Sequence, residues 1–300
     1  MSNKKHNRVL ITGINGFTGV HLERYLLAKG FDVYGTVIDA PAKSRHFQCD
    51  ITQADQIDKI IAELRPDYLI HIAAISFPGE KNASLIYDVN VIGSENILKA
   101  LIEHAVKPRK VILASSATVY GKQGQSILDE SMCPKPVNHY GCSKLAMEHL
   151  SANYFDRLDI IITRPFNYTG VGQEKHFLIP KIVSHFREGK KEIELGNLDV
   201  AREFNDIDYI VDNYYKLLLS RAKSLIVNLS SNHPVKLLDV IEMMNEIAGY
   251  RIEVKVNPLF VRENEIPSLS GSTKLLETLI DLDNRETLHK TLQTMYEAEK

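Results

Sequence analysis

Tyr140 and Lys144 stand four residues apart, so on a helix they share one face. The pairing suits proton transfer, because an ammonium beside a phenol favours the phenolate and draws the tyrosine pKa toward working pH. The spacing is cheap, and Tyr25 and Lys29 repeat it. That first copy is expected to serve packing and solvent on the opening helix. Setting separates the two. Tyr140 follows a loop holding Pro134 and Pro136, and lies 24 residues after Ser116 in the segment Ser115-Ser116-Ala-Thr-Val-Tyr-Gly121. That segment leaves the apolar run Lys110–Ala114. Open α/β sheets bind ligands at the carboxyl ends of their strands, which places the Ser116 hydroxyl to reach a substrate oxygen. A loop serine bonding its own backbone is the plainer alternative.

A second constellation precedes it. Thr12-Gly13-Ile14-Asn15-Gly16-Phe17-Thr18-Gly19 sits between a strand-like run and a helical one, as a phosphate cradle requires. Gly13 permits the tight turn, Gly16 lets the backbone approach a pyrophosphate, and Gly19 allows close helix packing. The helix N-terminus then offers N–H groups and the positive dipole end to the anion. The spacing is GxxGxxG, and its place after the first strand of a βαβ pattern points to dinucleotide binding.

Both constellations need a frame, and the chain supplies one. Short apolar runs (8–12, 31–38, 68–73, 110–114, 160–163) alternate with helical stretches (19–28, 55–64, 85–104, 143–155). That rhythm predicts an α/β fold: a Rossmann-type, doubly wound parallel sheet covered on both faces. After Pro165 it breaks into polar or glycine-bearing segments (167–175, 189–202), one more helix–strand pair (208–219, 225–229), and a mixed tail with a helix at 237–248 and a strand at 252–256. The expected division is a dinucleotide domain of residues 1–166 plus about 205–231. A smaller, interleaved α/β lobe of about 167–204 and 232–300 would bind substrate.

Composition narrows the class. Of 300 residues, 44% are hydrophobic and 25% charged, as in an ordinary globular protein. A net charge of -2 argues against a nucleic-acid partner. Cys49, Cys133 and Cys142 form no CxxC pair, which fits a reducing, cytoplasmic setting. The apolar run behind the basic start is too short for a signal peptide, and no stretch is long enough to span a membrane. No HExxH or Cys-rich spacing suggests a metal.

Taken together, GxxGxxG, His71-Ile-Ala-Ala74, Ser-Ser-x-x-Val-Tyr-Gly and Tyr-x-x-x-Lys occur in the order of the extended short-chain dehydrogenase/reductases that act on nucleotide sugars, and the chain resembles that family over nearly its whole length. Segments 164–173 (Arg-Pro-Phe-Asn-Tyr-Thr-Gly-Val-Gly-Gln), 200–206 (Val-Ala-Arg-Glu-Phe-Asn-Asp) and 262–272 look like members that reduce GDP-4-keto-6-deoxy-D-mannose. The resemblance implies Ser116, Tyr140 and Lys144 as the catalytic set. It implies cofactor contacts from Gly13, Gly16, Phe17, Thr18, Gly19, Asp39, Asp50, Ile51, Ala73, Ala74, Asn90 and Ser115, as well as from Tyr140 and Lys144. Asn167, Arg202, Arg262 and Glu265 would meet the substrate together with Ser116 and Tyr140; a guanidinium fork suits a diphosphate. A helix asparagine on a solvent face is the plainer reading of Asn90, and a surface charge that of each arginine.

The rivals are distinguished by single positions. A dehydratase needs an acid within the Ser-Ser-x-x-Val-Tyr segment, where this chain has Ala117 and Thr118. An epimerase/reductase of the GDP-fucose type would carry a cysteine there. A UDP-galactose 4-epimerase shares the segment and stays the nearest alternative, while a non-catalytic sensor would have lost the tyrosine or lysine. In NAD-preferring members an acid ends the second strand; here that place falls at Val37, with Asp39 two residues later. Lys43 and Arg45 would then meet a 2′-phosphate, so NADP(H) is expected over NAD(H), unless Asp39 swings in. A homodimer is expected through a four-helix interface from the 85–104 and 143–155 helices.

Overall fold

The predicted alternation builds one seven-stranded parallel sheet in the computed structural model, which describes residues 7–76, 82–261, 268–283 and 286–298. Its strands are β1 (Arg8–Thr12), β2 (Asp32–Val37), β3 (His46–Gln48), β4 (Tyr68–His71), β5 (Lys110–Ala114), β6 (Ile160–Pro165) and β7 (Leu225–Leu229). They lie in the order β7-β6-β5-β4-β1-β2-β3, every neighbouring pair parallel. The winding reverses between β1 and β4, the position where such sheets open a crevice for ligands.

Burial on both faces explains the continuous apolar strands. In β1, Val9 and Ile11 join one core with Ile70, Ile112 and Ile161, while Leu10 joins the other with Leu69, Val111 and Ile162. Helix α1 (Phe17–Ala28) covers the first face with the helix Ile207–Leu219. On the second face α2 (Ala54–Leu64) buries Ile57, Ile60, Ile61 and Leu64, a stripe in which each side chain contributes roughly 1.5–3 kcal/mol. It stops at Arg65, left-handed at φ 47°, because Pro66 disfavours helix in the residue before it.

Three elements differ from expectation. The 85–104 stretch is not one helix: α3 (Ala83–Tyr87) passes into a π turn at Asp88–Ile92 before α4 (Gly93–Glu103) begins. The wider turn breaks the 3.6 period, and within it Asn90 is fully buried, which excludes the solvent-face reading. Helix α5 runs His139–Ala152, starting four residues before Ser143, because the Asn138 side chain caps it by accepting the Gly141 N–H at 2.8 Å. The 189–202 segment contains the strand Glu192–Leu195, paired in parallel with Glu253–Val256. Its period-two pattern, Ile193 and Leu195 inward and two glutamates outward, is masked by charge.

Beyond the large sheet, helices Leu178–Arg187, Leu237–Ala248 and Leu288–Glu297 enclose a separate core around Ile182, Phe186, Val240, Met244 and Leu292. A buried carboxylate pins this region to the sheet. Glu203 accepts hydrogen bonds from Ser230 Oγ and the Gly271 N–H at 2.7 Å, the Ser231 N–H at 2.9 Å, and Asn205 Nδ2 at 3.0 Å. No described helix is long and apolar enough to cross a membrane.

Candidate active site

The glycine-rich turn leaves β1 and enters α1 at Phe17. Gly13 has φ +71°, and a Cβ there would lie 2.9 Å from the Ala73 Cα. A Cβ on Gly19 would come within 2.5 Å of the Gly13 and Ile14 carbonyl oxygens, and one on Gly16 within 3.3 Å of the former. Only hydrogen fits at Gly13 and Gly19. Gly16 stands at the N-cap of α1 with no side chain bonded to the helix end, so the first N–H groups stay available to an anion. A pyrophosphate fits this cradle.

Across the crevice, Ser116 leaves β5 and caps a short 3-10 turn, Ala117–Tyr120, accepting the Thr118 N–H at 3.2 Å. The plainer reading of Ser116 is therefore present, and it does not occupy the whole hydroxyl. Ser116 Oγ also accepts the Thr118 hydroxyl at 3.0 Å, and it stands near enough to the phenol of Tyr140, in the first turn of α5, to favour the phenolate. Lys144 lies one turn on, buried, its Nζ donating to the Ala114 carbonyl at 2.7 Å. The depressed phenol expected from this pair is absent. Burial pushes Tyr140 up to about 12, with Ser116 opposing, and Lys144 itself is pushed down to about 8 by burial. The lysine spends its bond on the Ala114 carbonyl, so in this state the phenol is a proton donor held neutral.

A model of the NAD dependent epimerase/dehydratase family matches residues 9–229. The chain belongs to this family. A GDP-6-deoxy-D-talose 4-dehydrogenase of Aggregatibacter actinomycetemcomitans is 34% identical over 291 residues, covering 96% of this chain and 97% of that one. The crystal structure of a Burkholderia cenocepacia protein provisionally described as an epimerase superposes at a TM-score of 0.91 with 40% identity, covering 97% of each chain. The structure of RMD from Pseudomonas aeruginosa complexed with NADPH superposes at 0.85 with 26% identity, again over 97% of each.

In this epimerase/dehydratase family member the remaining expected residues divide. Ala73 and Ala74 follow β4 beside the cradle, and Phe17 and Thr18 begin α1. Both of the latter turn toward Tyr168, Phe17 by stacking at 6.0 Å and Thr18 Oγ1 by a 2.8 Å hydrogen bond. Ser115 Oγ donates to the buried Glu148 carboxylate of α5. Ile51 is buried against Gly93 of α4, and the Asp50 carboxylate closes its own turn by accepting the Thr52 N–H at 2.9 Å. Asp39 is exposed beyond the end of β2. Lys43 and Arg45 do not stand free for a phosphate. Lys43 donates to Glu23 at 2.6 Å, and Arg45 donates to Asp32 at 3.1 Å while lying over the Tyr34 ring. Asn167 is exposed after β6 and Arg202 lies in the short strand Ala201–Arg202. Arg262 and Glu265 lie outside the described residues.

Beneath the site is a network that sequence reasoning missed. Glu148, i+4 from Lys144, accepts Arg164 Nε at 2.9 Å and Nη2 at 2.6 Å, both side chains buried. The Arg164 guanidinium lies 4.7 Å over the Tyr120 ring, and Glu148 raises Lys144 against the larger effect of burial. The signal was available as a carboxylate continuing the Tyr140–Lys144 helix face. Among the described residues no cluster of His, Cys, Asp or Glu is placed to hold a metal ion.

Proposed function

We propose that this enzyme reduces the 4-keto group of a GDP-4-keto-6-deoxyhexose with NAD(P)H, yielding a GDP-6-deoxyhexose of rhamno or talo configuration. The Ser116 hydroxyl close enough to the Tyr140 phenol to lower its pKa, with Lys144 buried one turn behind and the glycine cradle after β1, is the observation that carries this reading. Bound nicotinamide supplies the hydride to C4. Ser116 holds the carbonyl oxygen, Tyr140 gives its phenolic proton to the alkoxide that forms there, and Lys144 holds the proton that replenishes it. Ala117 and Thr118 leave the segment without the acid that elimination of water needs. The 34% identity to a protein named for chemistry at C4 of a GDP-6-deoxysugar supports the same carbon and nucleotide.

In this reading residues 1–166 and about 205–231 bind the dinucleotide, and about 167–204 and 232–300 bind the nucleotide sugar. Asn167, Arg202, Arg262 and Glu265 meet the sugar and diphosphate. The adenine end lies toward the open cleft of about 670 Å³ lined by Ile38, Gln48, Asp50 and Lys59. NADP(H) is favoured because Val37 ends β2 where an acid would repel a 2′-phosphate; Lys43 serves it by leaving Glu23. Free cysteines at 49, 133 and 142 fit action in a reducing cytoplasm. Exposed Leu85 and Ile92 beside α4 and α5 support a homodimer there, and sedimentation should give twice the 33.9 kDa mass at micromolar concentration.

The test is NADPH oxidation, followed by absorbance, on mixing the protein with GDP-4-keto-6-deoxymannose. Turnover is expected. A 4-epimerase is the second reading, carried by the shared Ser-Ser-Ala-Thr-Val-Tyr segment, and it would instead interconvert UDP-glucose and UDP-galactose while keeping its dinucleotide bound.

A further inference from the structure

Thr12 ends β1 and His71 ends β4, side by side in the sheet register. Their side chains begin a series of buried polar contacts that leads away from the glycine cradle. Thr12 Oγ1 lies 2.6 Å from His71 Nδ1, and His71 Nε2 lies 2.8 Å from Ser94 Oγ on α4. Ser94 Oγ donates to the Asn90 carbonyl at 2.8 Å, inside the π turn. The Asn90 amide donates to Ser143 Oγ at 3.0 Å, and Ser143 Oγ donates to the Tyr140 carbonyl at 2.8 Å. At the other end the Ala73 N–H reaches Thr12 Oγ1 at 3.3 Å. Thr12, His71, Asn90, Ser94 and Ser143 are all buried, so water cannot exchange for these partners.

Donor accounting leaves one arrangement. A carbonyl can only accept, so the Ser94 hydroxyl hydrogen faces Asn90 and its oxygen must take a hydrogen from His71 Nε2. Nδ1 is then bare and takes the Thr12 hydroxyl hydrogen, while the Thr12 oxygen takes the Ala73 N–H. Ser143 repeats the logic, giving its hydrogen to the Tyr140 carbonyl and accepting from Asn90. The second Asn90 amide hydrogen goes to the Ile75 carbonyl at 3.1 Å, and its oxygen accepts the Ile75 N–H at 2.9 Å. An imidazolium would still donate to Ser94 but would set an added Nδ1–H against the Thr12 hydroxyl hydrogen. Burial, with Lys144 nearby, pushes His71 down to about 3, in keeping with a neutral ring.

We propose that His71, fixed as the neutral Nε2–H tautomer, is a positioning residue that couples the dinucleotide cradle to the helix bearing Tyr140 through two oriented hydrogen-bond runs joined at Asn90, one from Ala73 to the Asn90 carbonyl and one from the Asn90 amide to the Tyr140 carbonyl. The inference rests on the reading that these two ends form one active site. His71 touches neither reacting group. It sets the Thr12–Gly13 corner against the Asn90–Ser143 corner, so a defect at one end is felt at the other.

Two measurements test it, the first independent of any activity. On ¹⁵N-histidine-labelled protein, the His71 ring should show the Nε2–H pattern and no titration between pH ~5 and ~8. Protonation in that window, or an Nδ1–H ring, overturns the proposal whatever the enzyme does. The second is a double-mutant cycle on Thr12→Val and Ser143→Ala, read as NADPH affinity and as kcat. Each single variant should lose about five- to tenfold in both, and Thr12→Ser should recover wild-type values. The double variant should lose no more than the worse single one; losses that multiply would show two independent packing defects and defeat the coupling. Failure of the wild type to bind NADPH would defeat the functional reading and leave the tautomer measurement to decide the chain.

Discussion

The two Tyr-x-x-x-Lys copies share a spacing and a helical setting, yet their surroundings give them opposite chemistry. Tyr25 of α1 donates to the Asp212 carboxylate at 2.6 Å, and burial together with that charge raises its pKa well above the usual phenol. Lys29 is exposed, lying 5.1 Å over the Tyr25 ring and 5.3 Å over Tyr215. That copy is a cross-brace between α1 and the Ile207–Leu219 helix. Tyr140 instead is held neutral by burial with no carboxylate among the groups that shift it, and Lys144 is buried beneath it with Glu148 one turn further. A fixed acceptor turns a tyrosine into structure. A donor that can pass its hydrogen to an incoming oxygen leaves it able to react.

The largest expected effect breaks the second copy. Tyr140→Phe should lower kcat by about 10²–10⁴-fold at an unchanged melting temperature, since it removes a proton donor and little packing. Next comes the charge under Lys144. Its proton is held only below pH about 8, so kcat/KM should fall above that value as Lys144 neutralises. Over the same range folding stability should rise, from about 8 to the ordinary lysine value, because the unfolded chain there binds the extra proton. Glu148→Gln removes the charge that raises Lys144, so the activity limb should move to lower pH by about half a unit or more. A limb left in place would mean that another group sets it. The smallest effect is on the first copy. Tyr25→Phe should leave kcat/KM within about twofold and cost about 1 kcal/mol of stability, or roughly 2 °C in melting temperature. Equal activity losses from Tyr25→Phe and Tyr140→Phe would erase the contrast.

Much of this was legible in the chain, because apolar period and glycine placement answer to local physics. Every strand of the large sheet but His46–Gln48, the Gly13–Gly19 turn and the setting of Ser116 before Tyr140 follow from such signals. What was not legible depends on contacts between distant segments. Nothing near Lys43 or Arg45 announces that Glu23, 20 residues before Lys43, and Asp32 will claim them. The π turn at Asn90 has no residue signature, and the Asn90–Ser143 bond spans 53 positions. The start of α5 was the exception: Asn138 is a capping residue directly ahead of it, and capping chemistry alone would have placed Tyr140 on the helix.

Hydride transfer itself is the most direct test of the account. The protein would be given GDP-4-keto-6-deoxymannose with NADPH carrying deuterium at C4 of the nicotinamide, each hydrogen face labelled in turn, and the product read by NMR. One label should arrive at C4 of the hexose, stoichiometric with cofactor oxidised, and Tyr140→Phe should slow its arrival while Tyr25→Phe should not. A sugar C4 free of deuterium with both labels, alongside interconversion of UDP-glucose and UDP-galactose on dinucleotide that never leaves the protein, would contradict it.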